Sequence, residues 1–368
     1  MNWRGTRVLL TGHTGFKGSW LSLWLERRGA EVCGMALEPP AGANLFEDSG
    51  AGCSMRSVIA DIRDIERVKR TFAEHRPEIV FHLAAQPLVR RSYENPLDTY
   101  STNVMGTANV LEAARTSEGL RAVVVVTTDK CYENREWDWP YRETDRLGGF
   151  DPYSNSKACA ELVVSAYRNS FFNPADYVRH GVALATVRAG NVIGGGDWAE
   201  DRLVPDAMRA LASGRPLTIR NPHAIRPWQY VLEPLRGYLK VAEALMDDGA
   251  AMGEAWNFGP DPADAETVES IASQLSMHWG NGAQWEAAKG AQPHEGQCLR
   301  LDSSKAAGRL EWRPGLRLKE ALAMTVAWYR ARMQGDDMHA FSMAQIEEYE
   351  HRVMAQQTPV AIGSGAAA

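Results

Sequence analysis

Cysteine is scarce in this chain and scattered: Cys33, Cys53, Cys131, Cys159 and Cys298 form an odd set of five with no short paired spacing. That pattern excludes a zinc finger or ribbon and a disulfide framework, and it fits free thiols in a reducing compartment; no metal site is expected. Long apolar runs are missing too. No stretch approaches the roughly 20 residues that a membrane-spanning helix needs. The first residues, Met1 to Gly5, lead into a strand pattern with no apolar leader, so a soluble cytoplasmic protein is expected. Positive charge is not in excess: 40 Lys plus Arg stand against 46 Asp plus Glu, for a net charge of -6. This removes the general electrostatic case for nucleic acid or an anionic membrane as partner. Internal repeats are also absent. The 368 residues suffice for a nucleotide-binding unit with a smaller appended region.

What is present begins with order. Arg7-Val8-Leu9-Leu10 reads as a strand, Thr11 to Gly18 as a glycine loop, and Trp20, Leu21, Leu23, Trp24 and Leu25 as a helix. Gly12, Gly15 and Gly18 fit GxxGxxG, in which missing side chains allow a tight turn, close approach to a pyrophosphate and helix-to-strand contact. Lys17 stands open between a phosphate contact and a solvated lysine. The second strand, Glu31 to Leu37, lacks the terminal acidic residue that usually meets the adenosine ribose. Ala36 or Leu37 holds that place, and Glu38 is either a substitute or a surface residue. No arginine nearby favours a 2'-phosphate, so NAD is preferred to NADP. Pro39 to Met55 reads as a loop and Val58 to Asp61 as a third strand. Asp61 and Ile62 stand to meet the adenine, with Asp61 equally placed to cap the helix near Ile65. Ile79 to Gln86 reads as a fourth strand, whose His82 is a satisfied core residue rather than a catalyst. A long amphipathic helix is expected from Asp98 to Ala114.

Ala122 to Val126 is a β-branched run that reads as a buried parallel strand. The polar residues Thr127-Thr128-Asp129-Lys130 therefore fall at a strand's carboxyl end, where open α/β sheets bind their ligands. Downstream, Tyr153 and Lys157 are four residues apart at the start of a helical pattern, which puts both on one face. The fold class expected is α/β: a Rossmann-type doubly wound parallel sheet with a smaller C-terminal α/β region. Residues 1–188 would form the first unit and 189–357 mainly the second, with some chain returning; 358–368 would be a flexible tail.

These motifs resemble a known family. Gly12/Gly15/Gly18, His82-Leu83-Ala84-Ala85, Asn103 to Thr107, Thr128, Tyr153 and Lys157 are similar to the extended short-chain dehydrogenase/reductases that act on nucleotide-sugars. Gly12 to Leu21, Thr127 to Tyr132, Gly195-Gly196-Asp197-Trp198 and Arg226-Pro227-Trp228-Gln229 narrow the likeness to the 4,6-dehydratases of that family. The resemblance implies NAD held by Gly12, Thr14, Gly15, Phe16, Gly18, Asp61, Ile62, Leu83, Ala84, Ala85, Asn103, Thr127, Tyr153 and Lys157. It implies a nucleotide-sugar, CDP-glucose, contacted by Gln86, Asn191, Val204, Arg226 and Arg300. It also implies a homodimer through helices near 98–114 and 153–172, with further association into a tetramer left open.

The chemistry expected follows from residue types. A free phenol has a pKa near 10, so Tyr153 needs Lys157 and a positive nicotinamide beside it to act as a base on a sugar hydroxyl, with Thr128 sharing the hydrogen bond. That trio alone describes a dehydrogenase or a 4-epimerase. Asp129 and Lys130 add an acid and a base for loss of water across C5 and C6, with Asp129 protonated and Lys130 neutral when each acts. Relatives specific for dTDP are expected to carry Asp-Glu where this chain has Asp-Lys. A structural ion pair at 129–130 and a non-catalytic NAD-binding module are the competing readings.

Overall fold

The computed structural model describes residues 1–280, 282–288 and 299–357; Cys298 and the tail 358–368 lie outside them. Seven strands form one parallel sheet: β1 (Arg7–Thr11), β2 (Glu31–Ala36), β3 (Arg56–Ile59), β4 (Ile79–His82), β5 (Ala122–Val126), β6 (Ala183–Ala189) and β7 (Ala255–Phe258), in the spatial order β7-β6-β5-β4-β1-β2-β3. The order reverses between β1 and β4, which pair with Thr11 opposite His82. That reversal opens a crevice at the carboxyl ends of the strands. Every residue of β4, β5 and β6 is buried, as a strand covered by helices on both faces must be. One apolar core on each face of the sheet fills the space beneath those helices.

Beyond residue 189 the chain serves both parts. Asn191–Ile193, Ile225–Tyr230 and Ala265–Thr267 make a three-stranded sheet, and Leu217–Ile219 pairs with Trp285–Ala287. Between these pieces, helix Leu232–Asp248 and strand β7 return to the main sheet, where β7 pairs with β6. Among the described residues no helix is long and apolar enough to cross a membrane.

Three expectations change. The stretch from Pro39 to Met55 contains a short helix, Leu45–Asp48, capped by the Asn44 side chain on Glu47 N. The helix near Ile65 is capped by Asp64, whose carboxylate accepts from Arg67 N, and not by Asp61. The helix expected from Asp98 to Ala114 starts at Pro96 and contains a π-helical turn, Ser101–Met105, before Gly106–Arg115. A π turn of this kind often marks a functional position. Here it carries Asn103.

Candidate active site

The glycine loop is shaped by close approach. A Cβ at Gly12, whose φ is +80°, would lie 2.7 Å from Ala84 N, and one at Gly18 would lie 2.0 Å from the Gly12 carbonyl oxygen. At Gly15 the nearest protein atom would be 3.4 Å away, so that position is open. Gly15 is also the N-cap of helix Phe16–Arg27, which has no side-chain cap. An uncapped helix start behind a glycine loop offers its N–H groups to an anion, and a dinucleotide pyrophosphate fits it. Thr14 is buried with its hydroxyl donating to Leu37 O at 3.0 Å, which braces the end of β2 where the ribose carboxylate is missing.

His82 is structural, as its strand position suggests. Thr107 Oγ1 donates to Asn103 O at 2.7 Å, so it accepts from His82 Nε2 at 3.0 Å. Nδ1 is then the acceptor for Thr11 Oγ1 at 2.7 Å, and Thr11 Oγ1 in turn accepts from Leu83 N and Ala84 N. Burial lowers the imidazole pKa to about 3, so the ring is neutral. Together these bonds fix Leu83 and Ala84, with Ala85 following, at the floor of the crevice.

Four of the residues expected at the ligands already have partners within the protein. Asn103 uses its whole amide on Gln86 N, Gln86 O and Ser156 Oγ. Gln86 gives its amide to Leu88 and to Thr99 Oγ1. Asp61 is held by Arg63 through three bonds, and Ile62 is packed beneath Gly106, where an added Cβ would meet Ile62 Cδ1 at 2.5 Å. These bonds and contacts order the chain around the crevice.

The end of β5 gathers the catalytic candidates. Thr128 donates to Asp129 Oδ1 at 2.9 Å and shares a hydrogen bond with Tyr153. Asp129 is buried, and desolvation raises its pKa above the ordinary carboxylate range, against the pull of Lys130, Thr128 and Lys17. A Cβ at Gly190 would stand 2.9 Å from Asp129 Oδ2, so the glycine before Asn191 makes room for that carboxyl. Helix Pro152–Ser170 starts on Asp151, which accepts from Ser154 N at 2.9 Å, and so brings Tyr153 and Lys157 to the same place. Burial raises Tyr153 to about 12, opposed by Thr128 and Arg202. Lys157 is buried, lowered to about 8 by desolvation, and donates to Val126 O at 3.1 Å.

Two residues enter this group that sequence alone did not place. Lys17 is half-buried, with its pKa lowered to about 8 by burial and by the neighbouring Arg202, and with Asp129, Lys157 and Asp197 also facing it. Its Nζ lies 6.0 Å from the Tyr238 ring centroid, and the buried Tyr238 hydroxyl has no hydrogen-bond partner among the described residues. Arg202 donates to Asp197 Oδ2 at 2.9 Å and is an electrostatic neighbour of Tyr153. The signal for Arg202 was the Gly195 to Trp198 motif five residues earlier: Trp20 Nε1 donates to Gly195 O, and Trp328 covers Gly195 so closely that a Cβ would be 2.0 Å from its Cγ. That clamp aims the loop at the crevice.

Two of the substrate-side candidates, Asn191 and Arg226, lie in the three-stranded sheet. Asn191 faces Trp228 in register, which puts it on the strand beside that of Arg226. Val204 is buried in helix Leu203–Ala212, and Arg300 is held at its carbonyl by Tyr141 N at 2.8 Å.

Residues 9–325 match the family model described as GDP-mannose 4,6 dehydratase. A CDP-glucose 4,6-dehydratase of Salmonella typhimurium is 56% identical over 347 residues, 94% of this chain and 97% of that one. Among solved structures, dTDP-glucose 4,6-dehydratase from Streptomyces venezuelae with NAD bound gives a TM-score of 0.75 at 27% identity, covering 90% of this chain and 99% of that chain. UDP-glucose 4-epimerase from Thermotoga maritima with UDP-glucose gives 0.75 at 25% identity, covering 89% and 99%.

Proposed function

The chain belongs to the GDP-mannose 4,6 dehydratase family, and from that premise we propose that it is an NAD-dependent lyase converting CDP-D-glucose to CDP-4-dehydro-6-deoxy-D-glucose. The observation that carries this reading is the strand end Thr128-Asp129-Lys130 set against Tyr153 and Lys157. A 4-epimerase needs no acid and base pair there. NAD, when bound in the seat shaped by Gly12, Gly15 and Gly18, would supply the hydride chemistry that links sugar C4 to C6.

The protein's own groups hold and move protons. Tyr153 Oη takes the proton of the C4 hydroxyl, with Thr128 Oγ1 sharing that hydrogen bond and Arg202 and Lys157 supplying positive charge around it. Once C4 is a ketone the C5 proton is acidic, and Lys130 Nζ removes it and later restores it. Asp129, whose carboxyl holds its proton more tightly because it is buried, gives that proton to the departing C6 hydroxyl, which leaves as water. Over one turnover Tyr153 therefore gains a proton and Asp129 loses one, and the Thr128 hydroxyl lies between them. Gly12, Gly15 and Gly18 shape the pyrophosphate seat of the cofactor, with Thr14, Phe16, Leu83, Ala84, Ala85 and Thr127 lining it. Asn191, Arg226 and Arg300 serve the substrate diphosphate and Val204 the base.

Helices in 96–115 and 152–170 expose Leu97 (81%), Met105 (57%) and Leu162 (59%), which supports a homodimer through this face. Gel filtration returning only monomer at working concentration would contradict that.

Incubation with CDP-glucose tests the function: a 4-keto sugar absorbing in alkali is expected, whereas CDP-galactose would show an epimerase. In Lys130→Ala, NADH should still appear while exchange of the C5 proton for solvent deuterium is lost. Undiminished exchange in that variant would remove Lys130 from the mechanism.

A further inference from the structure

The end of β5 grips the catalytic helix at three successive turns. Thr128 meets Tyr153, the Val126 carbonyl accepts from Lys157, and Thr127 Oγ1 donates to Glu161 Oε1 at 2.5 Å. Tyr153, Lys157 and Glu161 follow at i, i+4 and i+8, so Glu161 completes a register of which the proposed chemistry uses only the first two members. Glu161 is buried and its carboxylate is filled: Thr186 Oγ1 donates to Oε2 at 2.8 Å, and Arg188 donates Nε to Oε1 at 2.8 Å and Nη2 to Oε2 at 2.9 Å. Arg188, also buried, donates Nη1 to Tyr132 Oη at 2.7 Å, and Tyr132 Oη donates to Asn257 Oδ1 at 2.8 Å on β7. The pair is therefore tied to the residue that closes the catalytic motif.

Stability alone gives little reason to keep a buried ion pair, because an apolar pair of similar volume is often at least as stable. Its position supplies a reason. The groups facing Lys157 are Glu161 on its own helix, the Cys131 thiol after β5, His82 on β4 and Lys17 at the first helix. The thiol is held neutral by burial and so is the imidazole, and Lys17 is a second cation. Glu161 is thus the one anion in that set.

We propose that Glu161, braced by Arg188, Thr127 and Thr186, is a positioning residue that sets the helix-to-strand register and keeps the buried Lys157 charged beside Tyr153. It acts through Lys157 and Thr127 and touches neither sugar nor cofactor. The inference rests on the role assigned to Lys157 above, but its main readout needs no substrate.

In the ligand-free protein, ¹³Cε-lysine NMR would follow Lys157, its signal identified by its loss in Lys157→Gln. The wild-type midpoint is expected near the value of about 8 that burial imposes. Glu161→Gln should move that midpoint to lower pH by about one unit, and Glu161→Asp, which keeps the charge, should leave it close to wild type. In single turnovers with CDP-glucose, the alkaline fall in NADH formation should move with the NMR midpoint while KM changes less than about twofold. A midpoint unmoved in Glu161→Gln, with the rate reduced equally at every pH, would leave Glu161 a scaffold residue and overturn the proposal. Should Glu161→Gln fail to fold, Thr186→Val removes one donor to Glu161 and keeps the charge: kcat should fall about tenfold at constant KM. An unchanged kcat would remove the register. Failure of the wild type to make a 4-keto sugar would count against the function while leaving the NMR comparison standing.

Discussion

Lys17 shows how one side chain's chemistry is set by distant chain. It lies in the first turn of helix Phe16–Arg27, yet Tyr238, Asp197 and Arg202, all far along the sequence, close around it. Its pKa falls from 10.5 to about 8. The folded state therefore binds fewer protons than the unfolded chain between about pH 8 and 10.5, so burial costs stability in full below pH 8 and the cost is relieved as pH rises towards 10.5. Lys17→Met should stabilise the ligand-free protein at pH 7 by about 2 kcal/mol, after allowance for the residue's partial exposure, and the gain should vanish above about pH 10. Urea unfolding at the two pH values checks this; a gain equal at both would mean that packing, not charge, is responsible. The same distance explains what sequence could show of the site. Thr128 to Lys130 and Tyr153 with Lys157 are local patterns on one strand end and one helix face, legible from spacing. The place of Lys17 and Arg202 beside the catalytic group was not legible from spacing, because it depends on Tyr238, Asp197 and the Trp328 clamp. The internal bonds of Asn103 and Gln86 were hidden for a related reason: their partners Ser156 and Thr99 come from other segments of the chain.

At the level of the element, helix Pro152–Ser170 carries the phenol and the ammonium, and its start is fixed by three local devices. Asp151 caps it, Pro152 occupies the first turn with its φ already suitable, and Gly149 lets the preceding loop touch the helix, since a Cβ there would lie 2.1 Å from Ser154 C. The cap is doubled, because Asp151 Oδ2 also accepts from Ser154 Oγ at 2.6 Å. Asp151→Ala should cost about 1 kcal/mol in urea unfolding, with Asp151→Asn nearly neutral. Equal losses in the two would show that charge, not capping geometry, holds the helix start. Elements with strong local signals were readable in this way: the Val run of β5, the glycine loop and the capped helices. The seventh strand was not, because Ala255-Trp256-Asn257-Phe258 is four residues long and does not alternate, and only its pairing with β6 makes it a strand. The π turn at Asn103 was equally hidden, since it follows from tertiary bonds to Gln86 and Ser156 and not from any local preference.

Across the whole molecule, the C-terminal helices bind the two ends of the chain together. The family match ends at residue 325, but helix Met338–Gln357 continues and packs on helix Phe16–Arg27 behind the glycine loop. Trp24 Nε1 donates to Glu350 Oε1 at 2.6 Å across that contact. The residue before it, the wholly buried Tyr349, donates its hydroxyl to Glu233 Oε2 at 2.7 Å and accepts from Arg236 Nε at 2.9 Å. Glu233 Oε1 in turn accepts from Gly315 N and Leu316 N. Glu233 and Arg236 begin the helix that also carries Tyr238 to the crevice. One phenol thus completes the hydrogen bonding of a buried carboxylate and a buried guanidinium at the junction of three segments. Tyr349→Phe keeps the packing and leaves both charged groups short of a partner, which should cost about 2–3 kcal/mol of unfolding free energy. Because the hydroxyl of Tyr349 bonds to Glu233 and Arg236 and to none of the residues given a role in the reaction, kcat well below the new melting temperature should stay within about twofold of wild type. A variant as stable as the parent would show that water takes the place of the hydroxyl, and the C-terminal helix would then be held by its apolar face alone.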